Sequence, residues 1–210
     1  KKIFKDRKYP ILIDQEGGKV NRLKNIILFD DYTSDFFGKK YVEDFINFKL
    51  NYKIFIDKIS FILNSMGINI NTSPVLDLQS FGASKIIGNR SFSKNPKIVS
   101  KIGDYCINFY HQNRIGTVIK HIPGHGLAKV DSHKYLPVVM KKRNYLFKND
   151  FSAFKNKKSF FAMTGHVIYS DIDKKFPTTH SKKIIKLIRK HIGFKNIIIS
   201  DDLSMKSLKG

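Results

Sequence analysis

Short runs of apolar residues alternate along this chain with longer segments in which apolar residues recur every three or four positions. The short runs have the length and composition of buried β-strands, and the recurrent spacing is that of amphipathic helices. Asn95-Pro96 is a typical helix start, and Gly193 is a typical helix end. Strands are predicted over residues 9–14, 68–78, 116–121, 160–166 and 196–202, and helices over about 39–66, from 95 onward, near 144–155 and over 181–193.

The alternation of strands with helices predicts βα units and a parallel sheet. Aspartate, histidine and lysine residues stand at the ends of several predicted strands, as Asp14, His121 and Asp201 illustrate. That placement is typical of a TIM-type (β/α) barrel, whose active site is built at the carboxyl ends of its strands. A doubly wound open sheet is the alternative, but the sequence has neither a G-x-G-x-x-G turn nor a P-loop to support a nucleotide-binding version.

Composition and charge narrow the class of protein. The 210 residues are 41% hydrophobic, which is ordinary for a globular domain, and no apolar stretch approaches the ~18 residues of a membrane-spanning helix. The single cysteine, Cys106, excludes an internal disulfide and a cysteine-based zinc site. The net charge of +22 indicates either a polyanionic partner or a general lysine-rich bias. Because the lysines are scattered and form no block, we favour the bias and expect no nucleic-acid or membrane partner.

Two segments in the first half of the chain are candidates for binding. Asp14 ends a predicted strand, Glu16 follows two positions later, and two glycines come next, which permit a tight turn or a close backbone approach. This segment is either part of a ligand site or an ordinary βα turn with solvated charges. Arg90 lies just before the predicted helix start at residue 95, where it either binds a ligand oxygen or caps a turn.

Two lysines, three histidines and one aspartate lie between residues 120 and 133. His121 and His125 have the spacing of zinc ligands on a helix, but the intervening proline and glycine prevent a helix, and no glutamate completes an H-E-x-x-H motif. Asp131 and His133 suit a different chemistry, because a carboxylate can orient an imidazole and support its protonated form. We therefore interpret these two residues as an acid/base pair.

The last predicted strand ends in two acids, Asp201 and Asp202. A carboxylate at the end of a strand can serve as a nucleophile. Adjacent side chains point in different directions, so we expect only one of the two acids to face the site. His166, at the end of the preceding strand, either lines the same pocket or packs within a polar loop. On residues alone, the chain is a parallel α/β enzyme with aspartate and histidine chemistry.

Several segments of the chain match motifs that occur together in one enzyme family. The motif D-Q-E-G-G-R-V-x-R is present at residues 14–22, with Lys19 in place of the middle arginine. The motif K-H-F-P-G-H-G is present at 120–126, with Ile122 in place of phenylalanine, and D-S-H follows intact at 131–133. Neither substitution touches an acid or a histidine of the motifs.

Three further segments complete this set of motifs. S-D-D-L-S-M is intact at residues 200–205, S-P-V-L-D at 73–77 matches an A-P-V-L-D strand, and G-x-R-S is present at 88–91. Each motif alone is modest, but their joint occurrence in one order over nearly the whole chain is specific. In these motifs the chain closely resembles glycoside hydrolase family 3, and within it the bacterial β-N-acetylglucosaminidases of peptidoglycan recycling.

The resemblance implies a role for each matched residue. Asp201 would be the nucleophile that forms a glycosyl-enzyme intermediate, and His133 would be the general acid and then the general base, with Asp131 as its partner. No cofactor and no metal are implied. His125, His166 and Asp202 match the motifs but are assigned supporting roles. The residues implied to bind the N-acetylglucosamine ring are Asp14, Arg22, Arg90, Lys120 and His121.

The resemblance also implies the partner of this chain. We expect a monomer that acts in the bacterial cytoplasm on N-acetylglucosaminyl-β-1,4-anhydro-N-acetylmuramic acid, with or without its peptide, and that retains the anomeric configuration. The alternatives are an inactive sugar-binding remnant of the same fold, or a β-glucosidase of the same family. A basic nucleic-acid-binding protein is a third hypothesis, which only the charge supports.

The family's catalytic domain is an eight-stranded (β/α) barrel, in which the D-Q-E-G-G strand is the third and the S-D-D-L-S-M strand is the seventh. The resemblance therefore implies that residues 1–210 are a single catalytic domain, truncated at both ends, with about strands 3 to 7 of the barrel present. A sheet of that kind is open, so we expect it to expose two strand edges and apolar surface beside them.

Overall fold

The computed structural model describes residues 9–80, 82, 86–130 and 135–208. Apolar runs form strands in these ranges wherever the prediction placed one, and two short strands occur in addition. The strands are β1 (Leu12–Ile13), β2 (Ile70–Asn71), β3 (Gly116–Ile122), β4 (Val138–Val139), β5 (Phe161–Thr164), β6 (Ile168–Tyr169) and β7 (Ile197–Ser200).

Helices separate most of these strands. Asn95 caps one of them, its side chain accepting from Lys97 N at 2.9 Å, and Pro96 is the first helical residue, as predicted. Ser181 caps another, which continues as a π-helical turn over Ile188–Ile192 and ends at Gly193 in the left-handed conformation. No helix in the described ranges is long and apolar enough to cross a bilayer. The helices are α1 (Ser34–Glu43), α2 (Phe45–Ser65), α3 (Pro96–Gln112), α4 (Arg143–Lys148) and α5 (Lys182–Leu187).

Five strands form one sheet in the order β1-β2-β3-β5-β7, and every neighbouring pair is parallel. The order in the sheet is the order along the chain, as in a (β/α) barrel, where each helix returns the chain to the next position. A doubly wound sheet would reverse its order at a switch point, and the described strands contain no such reversal. The prediction of a partial barrel is confirmed.

The outer edges of β1 and β7 are unpaired in the part of the chain that the structure describes. Phe160 and Ile197, beside the β7 edge, are 56% and 58% exposed and line an open groove of about 620 Å³. Leu12, on β1 at the opposite edge, is also exposed. The sheet therefore has the open edges and the apolar surface that a partial barrel implies.

Two predicted boundaries were wrong. The single helix predicted over about 39–66 is two helices, because Asp44 adopts an extended conformation between α1 and α2 and its carboxylate caps α2 by accepting from Asn47 N at 3.0 Å. The strand predicted over 68–78 pairs as a ladder only through β2, with one further bridge at Val75. Pro74 lacks an N–H group, so a continuous ladder cannot pass through this position.

A minor parallel ladder joins two loops at the carboxyl end of the sheet. Strand β4 lies in the segment after β3, strand β6 lies in the segment after β5, and Val138 and Val139 pair with Ile168 and Tyr169. The Tyr169 hydroxyl donates to the carbonyl oxygen of Gly124. This ladder therefore joins the described part of the segment after β3 to the segment after β5.

Candidate active site

Four strands bring a polar side chain to the carboxyl edge of the sheet. Asp14 follows β1, Thr72 follows β2, Lys120 lies in β3, and Asp201 follows β7. This edge is where parallel α/β folds bind their ligands, since loops and helix starts converge there. The residues come from positions up to 187 apart in the chain (201 − 14), and the parallel sheet alone brings them together.

Lys120 is the centre of the first polar cluster. Its Nζ atom lies 2.7 Å from Oδ1 of Asp14 and 2.9 Å from Oγ1 of Thr72, and the Thr72 hydroxyl donates to the same Asp14 oxygen. Partial burial would raise the pKa of Asp14, but the Lys120 ammonium lowers it from 3.8 to about 2. The Asp14 side chain remains 42% exposed, so an ionised carboxylate is available to accept hydrogen bonds from a ligand.

Glu16 links Lys120 to Arg90 beneath this cluster. Arg90 donates from Nε and Nη2 to the two carboxylate oxygens of Glu16, both at 2.8 Å, and Lys120 Nζ lies 2.6 Å from Oε1. Burial would raise the pKa of Glu16, but the two cations lower it from 4.5 to about 2. Glu16 belongs to the segment predicted as a candidate for binding, but the family resemblance gave it no role; its position close to Asp14, in a chain with only two glutamates, was the available signal.

The turn after β1 positions Arg22. The side-chain oxygen of Gln15 accepts from Arg22 N at 2.8 Å, which closes the turn over the paired glycines. Gly17 has a φ of 92°, and a Cβ atom there would lie 2.4 Å from the carbonyl oxygen of Tyr32, so the turn requires glycine. The Arg22 side chain is exposed and acts on Asp14 through its charge alone, without a direct hydrogen bond.

A second cluster surrounds His121. Its Nδ1 atom lies 2.6 Å from Oδ2 of the fully buried Asp77, and its Nε2 atom lies 3.9 Å from Oδ2 of Asp201. The register between β3 and β5 shifts between Lys120 and Ile122, and such irregularities re-aim side chains. Consequently the adjacent Lys120 and His121 both contact carboxylates at this edge. Asp77 had no predicted role beyond its position at the end of a strand.

His125 is buried beside His121, with the two ring centroids 5.6 Å apart. Burial, together with the neighbouring His121, lowers the pKa of His125 to about 4, and neither ring nitrogen has a hydrogen-bond partner among the described residues. His125 is thus a neutral, packed residue at neutral pH, in keeping with the supporting role assigned to it.

The two acids after β7 point in different directions. Asp201 is partly buried and faces His121, whereas the Asp202 carboxylate accepts from Ser204 N and from Ser204 Oγ, both at 2.8 Å, in its own turn. His166 lies 2.9 Å from the Asp202 carbonyl oxygen and 2.8 Å from Thr179 Oγ1. These contacts hold the end of β7 and leave Asp201 as the acid that faces the clusters.

Asp131 and His133, the predicted acid/base pair, lie outside the described residues, so their roles stay predictions. Of the remaining predicted residues, Asp14, Lys120 and Arg90 share one network through Glu16, and His121 lies beside Asp201. The described ranges contain no group of three or more histidine, cysteine, aspartate or glutamate side chains arranged to hold a metal ion.

The comparisons with known proteins agree on one family. The family model described as the glycosyl hydrolase family 3 N terminal domain matches residues 7–210. The chain is 30% identical over 218 residues to beta-hexosaminidase A of Pseudoalteromonas piscicida, covering 94% of this chain and 35% of that protein. It is 36% identical over 152 residues to a beta-hexosaminidase of Neisseria meningitidis serogroup C, covering 70% of this chain and 42% of that protein.

Solved structures give the same result. Native NagZ from Neisseria gonorrhoeae superposes with a TM-score of 0.85 at 29% identity, over 93% of this chain and 58% of that one. A family 3 beta-N-acetylglucosaminidase from Paenibacillus sp. str. FPU-7 gives 0.84 at 28% identity, over 95% and 38%. The chain spans between about a third and just over half of the length of its curated relatives. It belongs to glycoside hydrolase family 3, whose N-terminal domain residues 7–210 match.

Proposed function

We propose that this chain hydrolyses terminal, non-reducing β-linked N-acetylglucosamine with retention of configuration. The observation that carries the proposal is the partly buried Asp201 carboxylate, 3.9 Å from His121 at the edge that also holds Asp14 and Lys120. A nucleophile beside a group of charged hydrogen-bonding side chains is what a glycosidase needs to hold a sugar over the attacking oxygen. The beta-hexosaminidases among the relatives support the same activity.

In the proposed reaction Asp201 attacks the anomeric carbon as the bond to the leaving oxygen breaks, which gives a covalent glycosyl-enzyme. His133 protonates the leaving oxygen, and then removes a proton from the water that releases the sugar, with Asp131 supporting its cationic form. A histidine suits both steps because its ordinary pKa of ~6.5 is near neutral pH. This scheme differs from the usual pair of carboxylates, and it rests on the D-S-H motif at 131–133.

The ring of the substrate would lie over the two clusters. Asp14 is ionised at neutral pH and accepts hydrogen bonds from sugar hydroxyl groups, while Lys120, Arg90 and Arg22 donate to sugar oxygens or set the charge around them. His121 would meet the ring close to Asp201. One relative, NagZ from Neisseria gonorrhoeae, was solved with N-trifluoroacetyl-D-glucosamine, which supports a sugar of the N-acylglucosamine class.

The finer part of the proposal is the natural substrate. The motif resemblance indicates N-acetylglucosaminyl-1,6-anhydro-N-acetylmuramic acid and its peptides, released during peptidoglycan recycling, with a monomeric enzyme acting in the cytoplasm. The similarity to NagZ from Neisseria gonorrhoeae supports this choice within family 3.

The test is hydrolysis of 4-nitrophenyl N-acetyl-β-D-glucosaminide by the chain and by two matched variants. Asp201→Asn should abolish turnover, whereas Asp202→Asn, which changes the adjacent acid, should retain most of it because that residue is exposed and its carboxylate accepts hydrogen bonds from Ser204. Equal losses in both variants would contradict the assignment of Asp201. Faster hydrolysis of the corresponding β-D-glucoside would indicate a β-glucosidase, and a folded chain that binds N-acetylglucosamine without turnover would be a sugar-binding remnant.

A further inference from the structure

Asp77 is a fully buried aspartate that lies against the candidate site and has no role in the proposed reaction. Its carboxylate accepts from the backbone N–H of His121 at 3.2 and 3.3 Å and from the backbone N–H of His125 at 2.6 Å. It also lies 2.6 Å from the ring atom Nδ1 of His121. One carboxylate therefore holds both ends of the loop over residues 121–125 and, in addition, the ring of His121.

The contact to the ring decides which nitrogen of His121 carries a proton. Burial raises the pKa of Asp77, but His121 and the donors around it lower it below its usual value, so the carboxylate is ionised at neutral pH. An ionised carboxylate only accepts hydrogen bonds, so Nδ1 must be the donor. The other nitrogen, Nε2, is then the atom that faces Asp201 at 3.9 Å.

The packing around His121 leaves the ring little freedom to turn away. A Cβ atom on Gly165 would lie 3.2 Å from Cβ of His121 and 3.0 Å from the ring of His125, so the two histidines pack directly on this glycine. The ring of His125 covers another side. The contact to the ring is additional to the two backbone N–H groups that donate to the same carboxylate, so Asp77 contacts the loop and, separately, the His121 ring.

We propose that Asp77 is a positioning residue for the hydrolysis proposed above, which keeps Nδ1 of His121 protonated and turns Nε2 toward Asp201 and the bound sugar. Carboxylates that orient histidines in this way fix the tautomer, and the tautomer determines whether the other nitrogen can accept a hydrogen bond. With Nδ1 protonated, the neutral ring presents Nε2 as an acceptor for a sugar hydroxyl. Asp77 acts only through His121 and touches neither the nucleophile nor the substrate.

The first test is independent of activity. Nitrogen-15 NMR of the full chain with labelled histidine, with His121 assigned from the signal lost in His121→Gln, should show Nδ1 protonated throughout the neutral pH range. In Asp77→Asn the side-chain amide can donate to Nδ1, so the tautomer with the proton on Nε2 should become populated. An unprotonated Nδ1 in the parent chain would overturn the proposal even if Asp77→Asn failed to fold. An unchanged tautomer in a folded Asp77→Asn variant would also overturn it.

The second test separates positioning from support of the fold. Asp77→Asn should lower kcat/KM for the 4-nitrophenyl substrate by about tenfold or more, and should have little further effect in a His121→Gln background. The same loss in both backgrounds would show a purely structural role and would overturn the proposal. The matched control is Asp173→Asn, which alters a buried aspartate outside both clusters that accepts from Ser181 Oγ at 2.7 Å. It should leave both the His121 tautomer and kcat/KM unchanged.

Discussion

The chain contains only two glutamates, and the structure places them in opposite environments. Glu16 is buried and contacts two cations, Arg90 and Lys120, at 2.6 to 2.8 Å. Glu43 is exposed at the end of α1, where it pairs with Lys40 at 3.2 Å. We predict that Glu16→Gln lowers the free energy of unfolding far more than Glu43→Gln does, although the two changes are chemically identical.

The size of the stability loss in Glu16→Gln follows from the burial of the Glu16 ion pairs. Removing one partner of a buried ion pair costs about 3–5 kcal/mol, because the remaining charge stays desolvated, and Arg90 makes no other ion pair among the described residues. The pKa of Glu16 gives a similar figure: lowering it from 4.5 to about 2 corresponds to about 3 kcal/mol at 1.36 kcal/mol per pH unit. An exposed pair such as that of Glu43 contributes about 1 kcal/mol at most.

The assay is thermal and urea unfolding of the two variants and the parent, followed by circular dichroism. For a domain of this size, 1 kcal/mol shifts Tm by roughly 2–4 °C, so Glu16→Gln should lose roughly 6 to 20 °C and Glu43→Gln no more than about 4 °C. Losses that agree within about 1 kcal/mol of unfolding free energy would refute the reasoning.

The dependence on pH gives a second check of the same prediction. Since the pKa of Glu16 is lower in the folded chain than in the unfolded chain, its contribution is complete above about pH 4.5 and is lost as the pH falls toward 2. The difference between the parent and Glu16→Gln should therefore shrink on acidification from about pH 7 to about pH 3. A difference that stayed constant over this range would show that the lost stability is not electrostatic.

Two further predictions concern stability. Burial raises the pKa of Asp150 from 3.8 to about 7, and one of its oxygens has no hydrogen-bond partner in the described ranges. The folded state therefore loses stability as the pH rises through this window, and Asp150→Asn should gain about 3 kcal/mol more at pH 8 than at pH 5. An equal gain in Tm at both pH values would contradict this. Gly38→Ala places Cβ 1.7 Å from the carbonyl oxygen of Phe92, whereas the close contact of Gly103→Ala is with the flexible end of the Leu76 side chain, at 2.5 Å. We expect Gly38→Ala to cost at least about 2 kcal/mol more of unfolding free energy, and equal urea midpoints would argue against it.

The sequence predicted the main elements of the fold because their signals are local. Apolar runs marked the five strands of the sheet, and side-chain caps marked the starts of α3 and α5 at Asn95 and Ser181. The break between α1 and α2 was missed because Asp44 lies within a continuous apolar pattern and ends one helix while capping the next. The ladder of β4 and β6 was also missed, because two-residue strands have no recognisable period.

The motifs also indicated most of the candidate site. Asp14, Lys120, His121 and Asp201 were predicted from their motifs, and the structure brings them to one edge of the sheet. Their roles in binding and catalysis stay predictions, as do those of Asp131 and His133. Motif order could indicate these residues because each stands near the carboxyl end of a strand or directly after it, and parallel strands end at a common edge.

The sequence by itself determined the alternation of strands and helices and the residue types available at the strand ends. Only the tertiary structure decided how the charges are paired. Glu16 meets Arg90 across 74 positions, and Asp77 meets His121 across 44. Neither contact can be predicted from the local sequence, because residue type alone does not distinguish a carboxylate that the fold buries from one that stays solvated. Burial makes the difference, since a desolvated charge is stable only beside the partners that the fold brings to it.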